Sequence, residues 1–178
     1  MKREIETKNG NENVDHLDLE KYTIVLIDVL RASSTITTLF DKDLEFLYSV
    51  RAKKEAINMK RKNKSRILIG ERYGIKIKNF DYGNSPYLIN KENFKGKEAV
   101  FSSSNFSKVL VKYLKASKVL VGCILNARFI SDYILANDDF NKILLVKAGT
   151  GGIPSKEDEL GCSIIKKYIN KEKNKSRD

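Results

Sequence analysis

Six short apolar runs, separated by polar and helical segments, constrain the fold of this chain more than any other feature of its sequence. The run Tyr22–Asp28 (YTIVLID) is apolar up to its last residue, which is typical of a strand buried on both faces. Five further runs follow it along the chain: LEFLYSV, RILIG, EAVFS, KVLVG and KILLVKAG. We therefore predict an α/β fold of three layers, in which helices cover both faces of a largely parallel sheet.

Helical patterns occupy most of the segments between these runs and favour the same architecture. The predicted helices cover residues 32–40, 51–62, 105–116 and 126–137, and a last helix begins near Glu157. The first 20 residues are predicted to form a short edge strand and a loop. Since no repeat or linker divides the chain, we predict one domain over residues 1–170 and a disordered charged tail at 171–178.

The composition argues for a cytoplasmic protein. No apolar run approaches the ~18–20 residues that span a bilayer, and the polar N-terminus lacks the apolar core of a signal peptide. The two cysteines, Cys123 and Cys162, are far apart and fit free thiols in a reducing compartment. The net charge of +11 raises nucleic acid as a partner, but the cations are mostly lysines spread over many segments, so we expect no nucleic-acid binding.

Polar side chains follow five of the apolar runs, at the point where each predicted strand ends. Because the carboxyl ends of parallel strands lie along one edge of a sheet, where ligands bind, we expect these side chains to converge on one crevice. The segments are DVLRASS from Asp28, GER from Gly70, SSSN from Ser102, GCILN ending at Asn126, and KAGTGGIPSKED from Lys147. The loop GERYGIKIKNFDYGNSP (70–86) is the richest in unlike polar groups, and we interpret it as a loop that faces substrate and metal.

The side chains of these segments suit a metal-associated anion. Carboxylates supply the hard oxygen ligands that magnesium prefers, and they occur at Asp28, Glu71, Asp81, Glu157 and Asp158. Positive charge comes from Arg31, Arg72 and Lys147. The segments SSSN and AGTGG each precede a predicted helix, where free N–H groups and hydroxyls bind phosphate or carboxylate. Together these features predict a site for a small, acidic, phosphorylated molecule.

Structural explanations stay open for several of these motifs. A serine or asparagine before a helix often serves only as its N-cap, which applies to Ser104 and Asn105. The segment SKED (155–158) also reads as a capping box with a displaced acid, and AGTGG lacks the lysine–serine ending of a P-loop. The alternative interpretation of the loop 70–86 is a rigid turn whose side chains bond to one another. The single histidine, His16, lies in the polar N-terminal region, so histidine chemistry is not expected.

Five segments of the chain resemble, in their order, the motifs of the magnesium-dependent 2-phosphosulfolactate phosphatase family. They are VLIDVLRASSTI, GERYGIKIKNFDYGNSP, SSSN, LNA and AGTGGIPSKED. The resemblance covers Tyr22 to Cys162, which is most of the chain. It implies hydrolysis of 2-phosphosulfolactate to sulfolactate and phosphate, a step of coenzyme M biosynthesis. Mg²⁺ is the implied cofactor and a small phosphorylated acid the implied partner, while a homo-oligomer is left open.

The resemblance and the chemistry of the residues together assign roles to individual side chains. Catalysis is assigned to Asp28, Arg31, Glu71 and Arg72, and metal binding to Asp28, Glu157 and Asp158. Substrate binding is assigned to Asp81, Asn84, Ser85, Ser104, Asn105, Asn126, Lys147, Gly149 and Ser155.

The mechanism predicted from these residues is hydrolysis of a phosphomonoester at a magnesium site. The metal ion would neutralise phosphate charge and orient or activate water, while Arg31, Arg72 and Lys147 stabilise the developing charge. Leu30 stands where aspartyl-phosphatases of the haloacid dehalogenase type have a second aspartate. This difference favours attack by water over a covalent intermediate on Asp28, and both stay open.

Two other functions stay open at this point. The first is a family member that binds a phosphorylated or sulfonated acid without hydrolysing it. Two features favour this alternative: Lys147 stands at a position where the family has cysteine, and only a short stretch follows the last motif. The second is a basic nucleic-acid-binding domain, which is favoured by the net charge alone.

Overall fold

Strands and helices alternate along the chain, which confirms the predicted α/β class. The structure is a computed structural model that describes residues 3–175, with side chains through residue 170. The strands are β1 (Glu4–Asn9), β2 (Tyr22–Ile27), β3 (Phe46–Ser49), β4 (Ile67–Arg72), β5 (Ile75–Lys76), β6 (Glu98–Ser102), β7 (Lys118–Gly122) and β8 (Lys142–Lys147). The helices are α1 (Ala32–Asp41), α2 (Lys53–Lys62), α3 (Pro86–Ile89), α4 (Phe106–Leu110), α5 (Ala127–Ala136) and α6 (Lys156–Lys175). Within this described part, no helix combines the length and the apolar character required to cross a membrane.

The strands form two four-stranded sheets, which corrects the prediction of a single sheet. In the first sheet the order is β1–β8–β2–β7, and all neighbouring strands are parallel. In the second sheet the order is β3–β6–β4–β5, and only β5 runs antiparallel to its neighbour. An apolar run indicates that a strand is buried on both faces but not which strand pairs with it, so the division into two sheets could not be predicted from the runs.

One apolar core is shared by the two sheets and joins them. Ile24 and Leu26 of β2 belong to it together with Phe101 of β6 and Leu39 of α1, and all four side chains are fully buried. Successive side chains of a strand point to opposite faces, so Val25 of β2 packs instead with residues of α5 and α6. Helix α2 covers the outer face of the second sheet. Because the shared core holds both sheets, it also positions the loops at their strand ends relative to one another.

Element boundaries agree with the prediction at most strands. They differ at the helix after β6, at the end of α6 and at two short elements that were not predicted. The edge strand expected near the N-terminus is β1, which pairs with β8. The helix predicted at 105–116 is shorter, because α4 ends at Leu110 and a 3₁₀ turn follows at Val111–Tyr113. Helix α6 continues through Lys175, into the segment predicted as a disordered tail, and residues 176–178 lie outside the described residues. The elements β5 and α3 are too short to leave a periodic pattern in the sequence.

Gly70 allows β4 to approach β6 closely. A Cβ atom at this position would lie 2.2 Å from the carbonyl oxygen of Ser102, and no side-chain movement relieves a contact with backbone. We expect Gly70→Ala to lower the free energy of unfolding by about 3 kcal/mol, measured by urea denaturation. Gly83→Ala is the matched control, because its added Cβ would lie 3.3 Å from the nearest atom, the Cβ of Lys76, and no closer than 3.8 Å to that residue's backbone. Equal losses in the two variants would contradict the explanation.

Candidate active site

A pocket of about 690 Å³ lies where strand ends of both sheets meet. Its walls include residues that follow β1, β2, β3, β6 and β8, together with the end of β4. The predicted convergence of polar loops is therefore observed, but across two sheets, and the segment after β7 contributes none of the lining residues. The predicted site residues that line the pocket are Asp28, Arg31, Glu71, Arg72, Asn84, Ser104 and Asn105.

Asp28 follows the last residue of β2 and is a buried acid, with only 6% of its surface exposed. Its Oδ1 accepts a hydrogen bond of 3.0 Å from the N–H of Ala32, the first residue of α1. Burial raises the pKa of Asp28 to about 7, and the negative charges of Asp158 and Glu71 act in the same direction. The N–H groups of Ala32 and Arg31 oppose this rise. Asp28 is thus able to gain and lose a proton near neutral pH.

Glu71 ties two walls of the pocket together. Its Oε1 accepts a hydrogen bond of 2.6 Å from the N–H of Ser104, and its Oε2 accepts bonds from the Ser104 hydroxyl at 3.1 Å and the Gly74 N–H at 2.8 Å. These bonds connect the loop after β6 to the turn between β4 and β5. Glu71 therefore acts on the shape of the pocket as well as on its charge.

Two arginines of the pocket are held by backbone carbonyl groups rather than by carboxylates. Arg72 donates to the carbonyl oxygens of Glu71 at 2.7 Å and Arg51 at 2.6 Å, and to the Ser102 hydroxyl at 2.9 Å. Arg31 donates to the carbonyl oxygen of Gly74 at 3.0 Å. Such contacts orient a guanidinium group without neutralising it, so both arginines keep their charge for an anion.

Asp158 lies beside the pocket and holds two of its loops. Its Oδ1 accepts a hydrogen bond of 2.7 Å from the Val29 N–H, and its Oδ2 accepts one of 2.9 Å from the Gly149 N–H. The side chain is buried, and burial raises its pKa while these two N–H groups oppose the rise. Asp158 thus links the segment that carries Asp28 to the glycine loop after β8.

The glycine loop after β8 lines the pocket through Thr150, Gly151 and Gly152. Gly149 itself is not a lining residue. Its φ of +69° and the 2.4 Å separation of an added Cβ from the Ile153 carbonyl oxygen require glycine for backbone reasons. Asn105 fastens the loop, because its Oδ1 accepts a hydrogen bond of 3.0 Å from the Gly151 N–H.

Three predicted substrate-binding residues of the middle of the chain are not brought to the pocket. Asp81 accepts hydrogen bonds from Lys60 at 2.6 Å and from the Leu68 N–H at 2.7 Å, so it fastens a loop to β4. Ser85 is the N-cap of α3. Asn126 precedes α5 and bonds to the segment before it, accepting from the Cys123 N–H at 2.8 Å.

The remaining predicted residues near α6 also have structural partners or lie outside the pocket. Lys147 forms an ion pair with Glu159. Ser155 accepts a hydrogen bond of 3.3 Å from the Asp158 N–H, as expected of the capping alternative. Among the described side chains no group of three histidine, cysteine, aspartate or glutamate residues is arranged to hold a metal ion, and the assignment of Asp28, Glu157 and Asp158 as ligands stays a prediction.

Four polar residues of the pocket walls lie outside the segments that the sequence singled out: Asn11, Arg51, Lys108 and Lys112. Asn11 and Arg51 follow β1 and β3, so the strand-end rule that identified Asp28 applies to them too. Lys108 and Lys112 are four residues apart after the SSSN segment. That spacing would place them on one helix face, a signal that could have drawn attention to both.

Asn84 offers the pocket an acceptor that the protein itself does not use. Only 6% of its surface is exposed, and its Oδ1 has no hydrogen-bond partner among the described residues. A buried amide oxygen without a partner costs about 1–3 kcal/mol, so such an atom in a pocket wall indicates a ligand that satisfies it.

The fold and the site define an α/β protein with a buried carboxylate in a cationic pocket at the strand ends. The sequence model of the 2-phosphosulpholactate phosphatase family matches residues 9–178. The chain belongs to this family, which confirms the resemblance seen in its motifs.

Relatives from two organisms carry the same family name. The chain is 40% identical over 147 residues to the probable 2-phosphosulfolactate phosphatase of Carboxydothermus hydrogenoformans, covering 82% of this chain and 60% of the relative. It is 36% identical over 156 residues to the 2-phosphosulfolactate phosphatase of Methanocaldococcus jannaschii, covering 83% of this chain and 64% of the relative. The chain thus spans less than two thirds of the length of either relative.

Proposed function

We propose that this chain hydrolyses a phosphomonoester of a small acidic molecule, and that the molecule is 2-phosphosulfolactate. The observation that carries the proposal is the buried carboxylate of Asp28 in a pocket whose cationic side chains form no ion pair within residues 3–170. Unpaired cations favour a substrate with several negative charges. The names of the two relatives support the choice of substrate. The products would be sulfolactate and phosphate.

The pocket residues divide the proposed reaction between charge stabilisation and proton transfer. Water attacks phosphorus while the bond from phosphorus to the ester oxygen breaks. One oxygen of the Asp28 carboxylate accepts the proton that the water loses and passes it to the leaving oxygen, which leaves the other oxygen for a metal ion. Arg31 and Arg72, oriented by carbonyl groups, contact the phosphoryl oxygens and stabilise the charge that develops there.

Magnesium fits the oxygen atoms that the pocket presents. The carboxylate of Asp28 and the unpartnered Oδ1 of Asn84 both belong to lining residues. One or two protein oxygens suffice, because Mg²⁺ keeps several waters and takes further ligands from substrate phosphate. A bound Mg²⁺ would supply positive charge at the phosphoryl group and help to orient the attacking water. We propose these two residues as its protein ligands, in place of Glu157 and Asp158.

The first test is phosphate release from 2-phosphosulfolactate and from a panel of phosphorylated hydroxy acids, with magnesium and with chelator. We expect release in magnesium, loss of release in chelator, and recovery when magnesium is added back. No release from any substrate by a sample with a cooperative unfolding transition would overturn hydrolysis and favour a binding protein. Full activity in chelator would overturn the magnesium requirement, and a phosphoenzyme trapped on Asp28 would overturn direct attack by water.

A further inference from the structure

One wall of the pocket carries two lysines that the proposed reaction does not use. Lys108 of α4 and Lys112 of the following 3₁₀ turn both line the pocket, on elements other than those that carry Asp28, Arg31 and Arg72. We propose that Lys108 and Lys112 form a second anion subsite, which binds a negatively charged group of the substrate other than the phosphoryl group. This inference rests on the proposed function and deepens it, because it assigns substrate selectivity to this wall.

The charge balance of the pocket supports a second anionic group. The lining residues include two acids, Asp28 and Glu71, against five cations. The five cations are Arg31, Arg51, Arg72, Lys108 and Lys112. Within residues 3–170, none of these five makes an ion pair with a carboxylate. One phosphoryl group in contact with two arginines leaves the remaining positive charge without a counter-ion.

The spacing of the two lysines points to the same conclusion. Residues four apart on a helical stretch lie on one face, and like charges at this spacing repel each other by a few tenths of a kcal/mol. In the described residues the ammonium group of Lys108 has no ion-pair partner that would offset this repulsion. An anionic group between the two ammonium groups would turn the repulsion into attraction.

Lys112 is held in position for such a group. Its Nζ donates to the carbonyl oxygens of Gly10 at 2.7 Å and Glu12 at 3.4 Å. The carboxylate of Glu12 is engaged elsewhere, by the Asn9 N–H at 2.7 Å and by Lys8 at 3.4 Å, so it does not neutralise Lys112. An ammonium group has three N–H donors, and two carbonyl contacts leave one for a ligand.

The loop that anchors Lys112 is itself tightly packed. A Cβ at Gly10 would lie 2.7 Å from a methyl group of Val109 and 3.0 Å from the Ala148 carbonyl oxygen. This close contact seats the end of β1 against α4 and the end of β8. The ammonium group of Lys112 is therefore preorganised, which favours binding of a second anion without a further ordering cost.

The test compares two ligands that share a phosphoryl group. 2-Phosphosulfolactate carries two further anionic groups, whereas isopropyl phosphate carries none. Dissociation constants are measured by titration calorimetry at fixed salt and in chelator, where no phosphate release is expected, for the original chain, Lys108→Met, Lys108→Arg and Lys115→Met. Lys115 is the matched control, because it is exposed on the same segment and does not line the pocket.

We expect Lys108→Met to weaken binding of 2-phosphosulfolactate by about 10-fold and to change binding of isopropyl phosphate by less than about 2-fold. Lys108→Arg should retain most of the affinity, and Lys115→Met all of it. Equal weakening for both ligands, or no weakening for either, would overturn the second subsite. Binding is measured without turnover, so the two proposals can fail separately. If the chain releases no phosphate but Lys108→Met still weakens only the binding of 2-phosphosulfolactate, the proposed hydrolysis is overturned and the second anion subsite is supported.

Discussion

Asp28→Asn is expected to reduce phosphate release by about 10²–10⁴-fold and to stabilise the fold at neutral pH. The loss of activity follows because an amide cannot accept the proton that water loses. The gain in stability follows because the amide carries no negative charge at a buried position near Asp158 and Glu71, whose charges raise the pKa of Asp28. The amide oxygen can still accept the hydrogen bond from the Ala32 N–H.

The stability effect has a defined dependence on pH. The pKa of Asp28 in the folded chain is about 7, raised from 3.8 mainly by burial. A carboxyl group whose folded pKa is raised stabilises the fold below its unfolded pKa, and this contribution is lost as the pH rises through the folded pKa. The advantage of Asp28→Asn should therefore be small near pH 4, grow towards pH 7 and then level off. Its upper limit is about 4 kcal/mol.

Urea denaturation of both chains in chelator, from pH 4 to pH 8, checks this expectation. The quantity to compare is the difference in the free energy of unfolding between the variant and the original chain at each pH. A difference that stays constant over this range would show that Asp28 titrates normally in the folded chain. Phosphate release that survives the substitution would remove Asp28 from the reaction.

Asp158→Ala is expected to lower the free energy of unfolding by about 2–5 kcal/mol and to abolish most phosphate release. The substitution removes both acceptors of the Val29 and Gly149 N–H groups, and each buried donor left without a partner costs about 1–3 kcal/mol. Because Val29 is adjacent to Asp28, the loss of this link also frees the segment that carries the proposed base.

Glu157→Ala is the matched control for this effect. Glu157 precedes Asp158 in the first turn of α6, where a negative charge contributes no more than about 1 kcal/mol through the helix dipole. We expect phosphate release and its dependence on magnesium concentration to be unchanged in this variant. If both variants instead required more magnesium for activity, the original assignment of Glu157 and Asp158 as metal ligands would be restored.

Local features of the sequence were sufficient to predict most elements of the fold. The apolar runs placed β2, β6, β7 and β8 at their observed positions, because a strand buried on both faces requires continuous apolar residues. The same runs could not predict two sheets, since pairing depends on contacts between residues far apart in the chain. The short elements β5 and α3 were missed because two to four residues leave no period.

The candidate site was predicted in part for the same reason. Asp28 was identified because a carboxylate directly after a buried strand stands out in a single segment. Asp81 carries the same group in an equally polar loop, yet its partners are Lys60 and the Leu68 N–H, so it lies outside the pocket. The direction of a side chain from a loop depends on tertiary contacts that the sequence does not display.

The sequence by itself determined the α/β class, the strand ends that carry polar residues, and membership of the family, because these depend on local patterns and motifs. Only the tertiary structure decided that two sheets share the pocket, that Asp158 bonds to backbone N–H groups, and that Lys108 and Lys112 face the same pocket as Asp28. The physical reason is that hydrogen bonds and burial at this site join β1, β2, α4 and β8, which lie far apart along the chain and meet only when the shared core forms.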